Sequence, residues 1–572
     1  MKKIKQFSFK NYNFIKGNFA IRIIALVVLL HGIFIVVGTL LNQILLKHLL
    51  RISFYSIDIS LMVGLTLIYL SFLLQRRKKN AWFLTIVVYA IYLGANLENY
   101  NDIRLSFHHL GSLILVRTIL LPVFLIALLL INSSKYVVKS DTQSFRSALK
   151  ISAIVIIVLL LYGVAGYRLL GESGFHQKIS FFSAFHLTID QFNITNSPLK
   201  TFDQKARFFV DSLFLVYLAA LGYVLISFFK PIKDKFSSQK NSNLRFRQLL
   251  WLQHDARSED FFKIWPQDKR YFFDSTLKSA LAYRVNRGIA VVLGGPVGKK
   301  ARFKQLINEF SYVCFGNDWK PAFIHCEDTY MELFKLLGFN YQKIGQEAVV
   351  NIDHFIKDTI KDKYYRNILN RFNKANYSYK MLSPPHDRAV LNELKSISDD
   401  WLKRGGHLER GFAMGYFSTE YMNLTKVLVA YDQSNKIMAF VNIITPEFDK
   451  VEATYDLLRF KKDALGNVND YLLIKLIEEL KHSGYRRLNL GLCPLTGINK
   501  DIKNKEERSL IDNVLSFAYA NGDRFYSFSG LYRFKNKYQP EWRDRYFFFK
   551  GGLGSFTRIN TALMNIMRKT RH

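Results

Sequence analysis

Long uninterrupted apolar runs fill the first part of the chain, and short, interrupted ones fill the rest. Six stretches, Ile21 to Leu46, Ile57 to Leu74, Ala81 to Leu97, Leu110 to Ile131, Ile151 to Leu170 and Phe208 to Phe229, each come near the roughly 17 to 25 residues of helix that cross a hydrocarbon layer. They predict a multi-pass α-helical membrane domain of six helices over residues 1–240. The first run is long and has no small-residue cleavage site after it, so it reads as a retained helix although Lys2, Lys3, Lys5, Lys10 and Lys16 precede it. If every run spans, the basic N-terminus, the Arg76 to Lys79 loop, the Lys135 to Lys150 loop and the Lys230 to Lys240 exit fall on one side. The positive-inside bias makes that side the cytoplasm and places the C-terminal half there too. Arg117 lies within the fourth run; at such depth it is a candidate for a lipid phosphate, or equally a side chain snorkelling to the interface. The Gly171 to Arg207 connection, with Phe181, Phe182, Phe185 and Phe192, reads as an interfacial helix or an ordinary loop.

After Lys240 the period changes. Ala290 to Leu293 reads as a strand running into the Gly294 to Gly298 turn, followed by a helix at Arg302 to Val313, a strand at Phe323 to His325, a helix at Thr329 to Leu337 and a strand at Gln346 to Ile352. A second series has strands at Lys426 to Tyr431 and Ile437 to Ile444 across the Asp432 to Asn435 turn, then a strand at Val451 to Leu458. It continues with a helix from Asp470 to His482 closed by Gly484 and a strand at Arg487 to Leu490. This predicts an α+β region of two units, 241–385 and 386–572, with catalysis in the second.

Composition narrows the class. A 572-residue chain with 49% hydrophobic residues, mean hydropathy +0.03 and 80 Lys+Arg against 45 Asp+Glu, formal net charge +35, excludes an ordinary soluble enzyme and points to membrane plus an anionic partner. Charge alone serves nucleic-acid phosphates and acidic lipid headgroups equally. Cys314, Cys326 and Cys493 are far apart and lack partners at ligand spacing, so neither a disulfide framework nor a metal site is expected.

The C-terminal part of the chain carries the densest motif set: Asp456-Leu-Leu-Arg459, Leu490-Gly-Leu-Cys-Pro-Leu495, Tyr526-Ser-Phe-Ser-Gly-Leu-Tyr-Arg-Phe-Lys-Asn-Lys-Tyr538 and Pro540-Glu-Trp-Arg-Asp-Arg-Tyr546. Upstream stand Leu293-Gly-Gly-Pro-Val-Gly298, Leu337-Gly-Phe339, a helix bearing Arg366 and Arg371, and Trp401-Leu-Lys-Arg-Gly-Gly-His-Leu-Glu-Arg-Gly-Phe412 with Gly415. Together they resemble the phosphatidylglycerol lysyltransferase, or multiple peptide resistance factor, family, with one departure: Gly295 stands where the family's turn has an acid. The second series of elements also resembles the Gcn5-related N-acetyltransferase fold, of which that family carries two units in tandem. Lys461 to Asn469 keeps only Gly466 of that fold's pyrophosphate turn, which argues against CoA. No cofactor is expected.

The resemblance implies attack of a phosphatidylglycerol hydroxyl on the ester of aminoacyl-tRNA, with lysine ahead of alanine and arginine as the amino acid transferred and resistance to cationic antimicrobial peptides as the outcome. That ester is already activated, so positioning, an amine pocket and charge stabilisation suffice and no covalent nucleophile is required. Asp456 would hold the aminoacyl ammonium and Arg459 a phosphate. Strand parity puts those two on opposite faces, so the strand must bulge or end near Leu458 for both to line one site. Asp512 matches a family Glu, shortened by one methylene. Arg533, Lys535, Lys537, Tyr538, Trp542 and Arg545 interleave cations with aromatic rings, a pattern suited to RNA phosphates and an unpaired base, or to anionic lipid. The competing readings are a tRNA-dependent aminoacyltransferase acting on a peptidoglycan precursor and a non-enzymatic flippase or scaffold. Self-association stays open.

Overall fold

The computed structural model describes residues 19–49, 57–98, 116–138, 142–190, 201–213, 216, 223, 240–251, 258–405, 408–445, 450–497, 528–551 and 553–567. Contacts divide the chain into two compact units, one built from 8–233 with 315–318 and the other from 234–314 and 319–572 with the first seven residues.

The first unit is helical: α1 (Phe19–Leu49), α2 (Ile57–Gln75), α3 (Lys79–Glu98), α4 (Leu121–Ile131), α5 (Thr142–Leu169) and α6 (Phe181–Asp190). Helices α1 and α2 cross at Gly32 and Gly64, where a Cβ on Gly32 would sit 2.9 Å from the Gly64 carbonyl oxygen. Only glycine permits that approach. Ile24, Val28, Leu67, Leu70, Leu125 and Leu129 fill this core, while Phe34, Leu65, Phe83, Phe124, Ile157 and Leu161 face outward. An apolar surface of this kind is unusual for a protein side bathed in water. Among the described residues, one helix, at Phe19–Gly38, is long and apolar enough to cross a membrane; Val63–Gln75, Lys79–Gly94, Thr118–Ile131 and Ala153–Leu169 are apolar but shorter. The Arg117 side chain and most of the Phe208 to Phe229 run lie outside the described residues. The Gly171 to Arg207 connection does contain a helix, α6.

The second unit is organised by one twelve-stranded sheet, in the order β1-β2-β3-β5-β12-β6-β11-β10-β9-β8-β7 with β4 paired to β2. Its strands are β1 (Arg270–Phe273), β2 (Ser279–Asn286), β3 (Ile289–Leu293), β4 (Val297–Gly298), β5 (Lys320–Cys326), β6 (Asn340–Asn351), β7 (Ser378–Leu382), β8 (Lys426–Tyr431), β9 (Ile437–Ile444), β10 (Glu452–Phe460), β11 (Arg487–Pro494) and β12 (Glu541–Phe549). Its helices include α7 (Lys240–Trp251), α8 (Phe303–Gly316), α9 (Met331–Leu336), α10 (Lys363–Lys374), α11 (Arg388–Gly405), α12 (Val468–His482), α13 (Phe528–Asn536) and α14 (Leu553–Met567).

Two halves of the sheet repeat one order. In the first, antiparallel β1, β2 and β3 lead through α8 to β5, parallel to β3. In the second, antiparallel β8, β9 and β10 lead through α12 to β11, parallel to β10. The last strand of each half is exchanged: β12 pairs with β5 of the first half, and β6 with β11 of the second. The two exchanged strands then pair with each other, so the halves share one continuous hydrogen-bonded sheet. Its larger core lies under α10 and α12, where Ile368, Phe372, Leu472, Leu476 and Leu480 meet Val441, Ile443 and Leu488. A second core on the opposite side packs Leu394, Ile397, Tyr421, Phe440 and Leu457.

Candidate active site

β10 carries the site because it is irregular. It pairs with β9 as Tyr455↔Ile443 and then Leu458↔Val441, so Asp456 and Leu457 together oppose Asn442. That is one extra residue on β10, a bulge that inverts side-chain parity beyond it. Tyr455 and Leu458 pack on the larger core, Leu457 on the second. Asp456 and Arg459 therefore both project on the side of Tyr421 and α11.

The Asp456 carboxylate sits in a fixed cup. Its Oδ2 accepts the Gly415 backbone N–H at 2.8 Å and the Tyr421 hydroxyl at 2.6 Å. Among the described residues Oδ1 has no hydrogen-bond partner. A Cβ on residue 415 would meet Oδ2 at 2.4 Å and the Tyr421 ring at 2.5 Å, which explains a glycine there. Tyr421 is held in turn by stacking on Trp265, 5.4 Å between centroids and 6° between planes. Burial raises the Asp456 pKa to about 6, against the opposing pull of the Tyr421 hydroxyl, the Gly415 N–H and the nearby Arg459 charge.

Arg459 is buried, and its guanidinium forms a two-point pair with Glu409 at 3.0 and 2.8 Å. It also donates to Ser398 Oγ and lies 5.4 Å over the Trp401 ring. Glu409 Oε1 accepts the Phe417 N–H at 3.1 Å, so the pair fastens the 408–417 loop that presents Gly415. The structure thus places the Arg459 guanidinium, expected to meet a phosphate, against Glu409, Ser398 and the Trp401 ring.

Next to the cup, β10 and β11 part. They pair over only three positions, Glu452↔Arg487, Ala453↔Leu488 and Thr454↔Asn489, and β11 shifts register against β6 between Asn489 and Leu492. Lys535 on α13 closes the far side of the opening, donating to the Gly491 and Leu492 carbonyls at 2.9 Å each. It is buried, and desolvation pushes its pKa down to about 8.

The basic aromatic run is divided between buried and exposed positions. Lys535, Tyr538 and Arg545 are buried. Tyr538 donates to Asp470 at 2.7 Å, and Lys537 pairs with the same carboxylate at 2.7 Å while lying 4.9 Å over Tyr364. Arg545 binds Glu347, with Glu259 at 3.2 Å, and His325 Nε2 lies 2.8 Å from Glu347. Burial and the Glu347 charge push the Glu259 pKa up, whereas His325 and Arg545 outweigh burial to bring that of Glu347 down. The Glu259, His325 and Glu347 ligand atoms lie within 4.8 Å of one another, but Arg545 already supplies the cation between the carboxylates. Trp542 stacks on Tyr532 at 5.0 Å. Arg533 is exposed. The pleat of β12 turns Arg545 inward, α13 turns Lys535 toward β11, and Lys537 and Tyr538 stand in the turn between the two elements. Asp512 lies outside the described residues.

With this geometry in view, the segment 247–549 matches the family described as phosphatidylglycerol lysyltransferase, C-terminal. The chain belongs to that family. A phosphatidylglycerol lysyltransferase of Bacillus subtilis (strain 168) is 31% identical over 283 residues, 50% of this chain and 32% of that protein. One from Staphylococcus epidermidis is 28% identical over 309 residues, 54% of this chain and 36% of that protein. The matching part thus spans about a third of the length of these curated relatives. The crystal structure of the C-terminal domain of a protein named as a lysylphosphatidylglycerol synthetase from Agrobacterium fabrum is similar, with TM-score 0.50 and 25% identity over 57% of this chain and 98% of that one. The phosphatidylglycerol lysyltransferase family's acyltransferase-like fold is therefore that of the C-terminal half here. Three members of the site, Tyr421, Ser398 and Asn442, carried no sequence signal of their own; tyrosine alone occurs 31 times. Glu409 and Gly415 fell within the matched Trp401 to Gly415 segment without a role.

Proposed function

We propose that this chain transfers a lysyl group from aminoacyl-tRNA to a hydroxyl of phosphatidylglycerol, within residues 386–572. The observation that carries this reading is the Asp456 cup: a carboxylate with one oxygen saturated by Gly415 and Tyr421 and the other open, beside the parting of β10 and β11 in the family-matched region. An ammonium placed against Oδ1 regains the charge pairing that burial denies the carboxylate, which favours the ionised form and fixes the acyl group relative to the cleft. The ester is reactive enough that orienting the lipid hydroxyl beside it is the main task. The relatives' names supply lysine and phosphatidylglycerol as substrates.

For the tRNA, α10 supplies the most suitable face. It buries Tyr365, Ile368 and Phe372 and exposes Lys363, Arg366, Arg371 and Lys374 among asparagines. Such an acid-free cationic stripe suits a phosphate backbone, and Arg533 extends the exposed positive charge. The outward apolar side chains of the helical unit and the Phe19–Gly38 helix support a multi-pass anchor in the bacterial plasma membrane, with the catalytic unit on the cytosolic side. Lysylated headgroups would make the membrane more cationic and blunt cationic peptides.

The test is direct. The purified full chain in vesicles containing phosphatidylglycerol is given Lys-tRNA charged with radiolabelled lysine, and lipids are separated by thin-layer chromatography. A labelled, ninhydrin-positive lipid that needs both tRNA and phosphatidylglycerol is expected. Label that remains on tRNA, or that appears only when a peptidoglycan precursor is supplied, overturns the reading.

A further inference from the structure

We infer that Asn442 is a positioning residue, which acts by holding open the β10 bulge that brings Asp456 and Arg459 to one face. This rests on the proposed role of those two residues. Asn442 is the β9 residue opposite the extra residue, the place where an antiparallel ladder has one partner for two. A bulge leaves backbone groups without their regular ladder partners, and a buried N–H without an acceptor is strongly disfavoured. Here the Leu457 N–H goes to a side chain: Asn442 Oδ1 accepts it at 2.7 Å.

The carboxamide is set in that orientation from behind. Thr425 Oγ1 donates to the Met422 carbonyl at 3.3 Å and stands 3.4 Å from Asn442 Nδ2, which donates to it. That orientation turns Oδ1 toward β10. Asn442 is fully buried, on a face shared with Phe440, Val427 and Leu457. A carboxamide there is costly unless its bonds are met, and the bond its Oδ1 accepts from Leu457 is that of the bulge.

Removing the acceptor removes a reason for the extra residue to stay. In an unbulged β10, alternation would return Leu457 to the Tyr455 face and carry Arg459 to the larger core, away from Asp456 and Glu409. A residue serving only to fill the core would not link exchange of one amide to the rate of transfer.

Amide hydrogen exchange and single-turnover lysyl transfer are measured on the full chain in phosphatidylglycerol vesicles, for wild type, Asn442→Leu and Asn442→Asp. In the wild type the Leu457 amide should be protected as well as its β10 neighbours despite the bulge. Asn442→Leu, similar in size but without an acceptor, should speed Leu457 exchange by about 10-fold or more while β8 amides keep their protection. It should slow transfer by about 100-fold, with the KM for Lys-tRNA within about 2-fold of wild type. Asn442→Asp keeps an acceptor and should keep the Leu457 protection, which decides the matter if the leucine variant does not fold. An unprotected Leu457 amide in the wild type, or wild-type transfer by Asn442→Leu, overturns the inference. Asp456→Asn is run alongside. If it is inactive while Asn442→Leu is fully active, only the positioning role fails; if it too is fully active, the proposed site fails.

Discussion

The two halves of the sheet present the same strand order but opposite chemistry at corresponding strands. β3 in the first half is Ile-Ala-Val-Val-Leu, buried along its whole length and in unbroken register with β2 from Tyr283↔Val292 to Asn286↔Ile289. β10 in the second half is longer, shifts register once, and carries Asp456 and Arg459. One repeat is thus built for packing. The other gives up ladder regularity and buries charge, both costly for folding, and such costs concentrate where a site needs them. In the proposed reading the duplicated fold does not by itself confer a site; an inserted residue in one strand does.

The comparison breaks most sharply at Asp456. Asp456→Asn keeps the shape and removes the charge, and should lower transfer by about 1,000-fold without loss of membrane insertion or tRNA binding. Rates that stay within a few-fold of wild type would make the two halves equivalent. Glu409→Ala comes next, because it strands a buried guanidinium; a loss of about 3 kcal/mol in stability is expected, read as a lowered urea midpoint. In the first half, Val292→Ala in β3 should cost only about 2 kcal/mol and leave the transfer rate per folded molecule unchanged. A rate defect in that variant would show that the first half contributes to chemistry.

Gly415→Ala sharpens the contrast. Its Cβ would collide with the Asp456 carboxylate and Tyr421, so transfer should fall by about 10- to 100-fold.

The pH dependence is smaller and signed. Only the ionised Asp456 binds an ammonium, so the rate should rise as pH increases through about 6. Tyr421→Phe deletes a bond that favours ionisation, and should move that limb to higher pH. Stability runs the other way. The folded pKa lies above the unfolded value of 3.8, so this group's contribution is fully present below about 4 and is lost as pH rises through about 6. Titration of the rate, and of the urea midpoint for wild type and Asp456→Asn, checks both signs.

The smallest effect expected is at α10. Arg366→Ala with Arg371→Ala should weaken tRNA binding and reduce its salt slope by about 2, measured by filter binding at several ionic strengths.

Much of this contrast was legible in the chain itself. Short apolar runs bounded by turn residues located β3, β8 and β9, and the Asp-Leu-Leu-Arg spacing required the strand to bulge or end near Leu458 if both charges were to line one site, because residues three apart on a regular strand face opposite ways. What sequence could not assign was the partner of each charge. The Glu409 carboxylate that meets Arg459 at 2.8 Å stands fifty residues earlier in the chain. Likewise Lys535, Tyr538 and Arg545 share a basic aromatic composition with exposed Arg533, yet α13, the turn after it and the pleat of β12 send them inward to Gly491, Asp470 and Glu347 respectively. The strand exchange that brings β6 and β12 together joins residues about two hundred positions apart, a pairing that no local pattern encodes.

A double-mutant cycle tests the central claim most directly. Single-turnover lysyl transfer to phosphatidylglycerol is measured for wild type, Asp456→Asn, Arg459→Gln and the combination, each shown to be folded. If the bulge makes the two residues one site, the double variant should lose little more than the worse single one, a coupling of at least about 1 kcal/mol. Losses that simply multiply, as for two side chains on opposite faces of the sheet, would contradict the account.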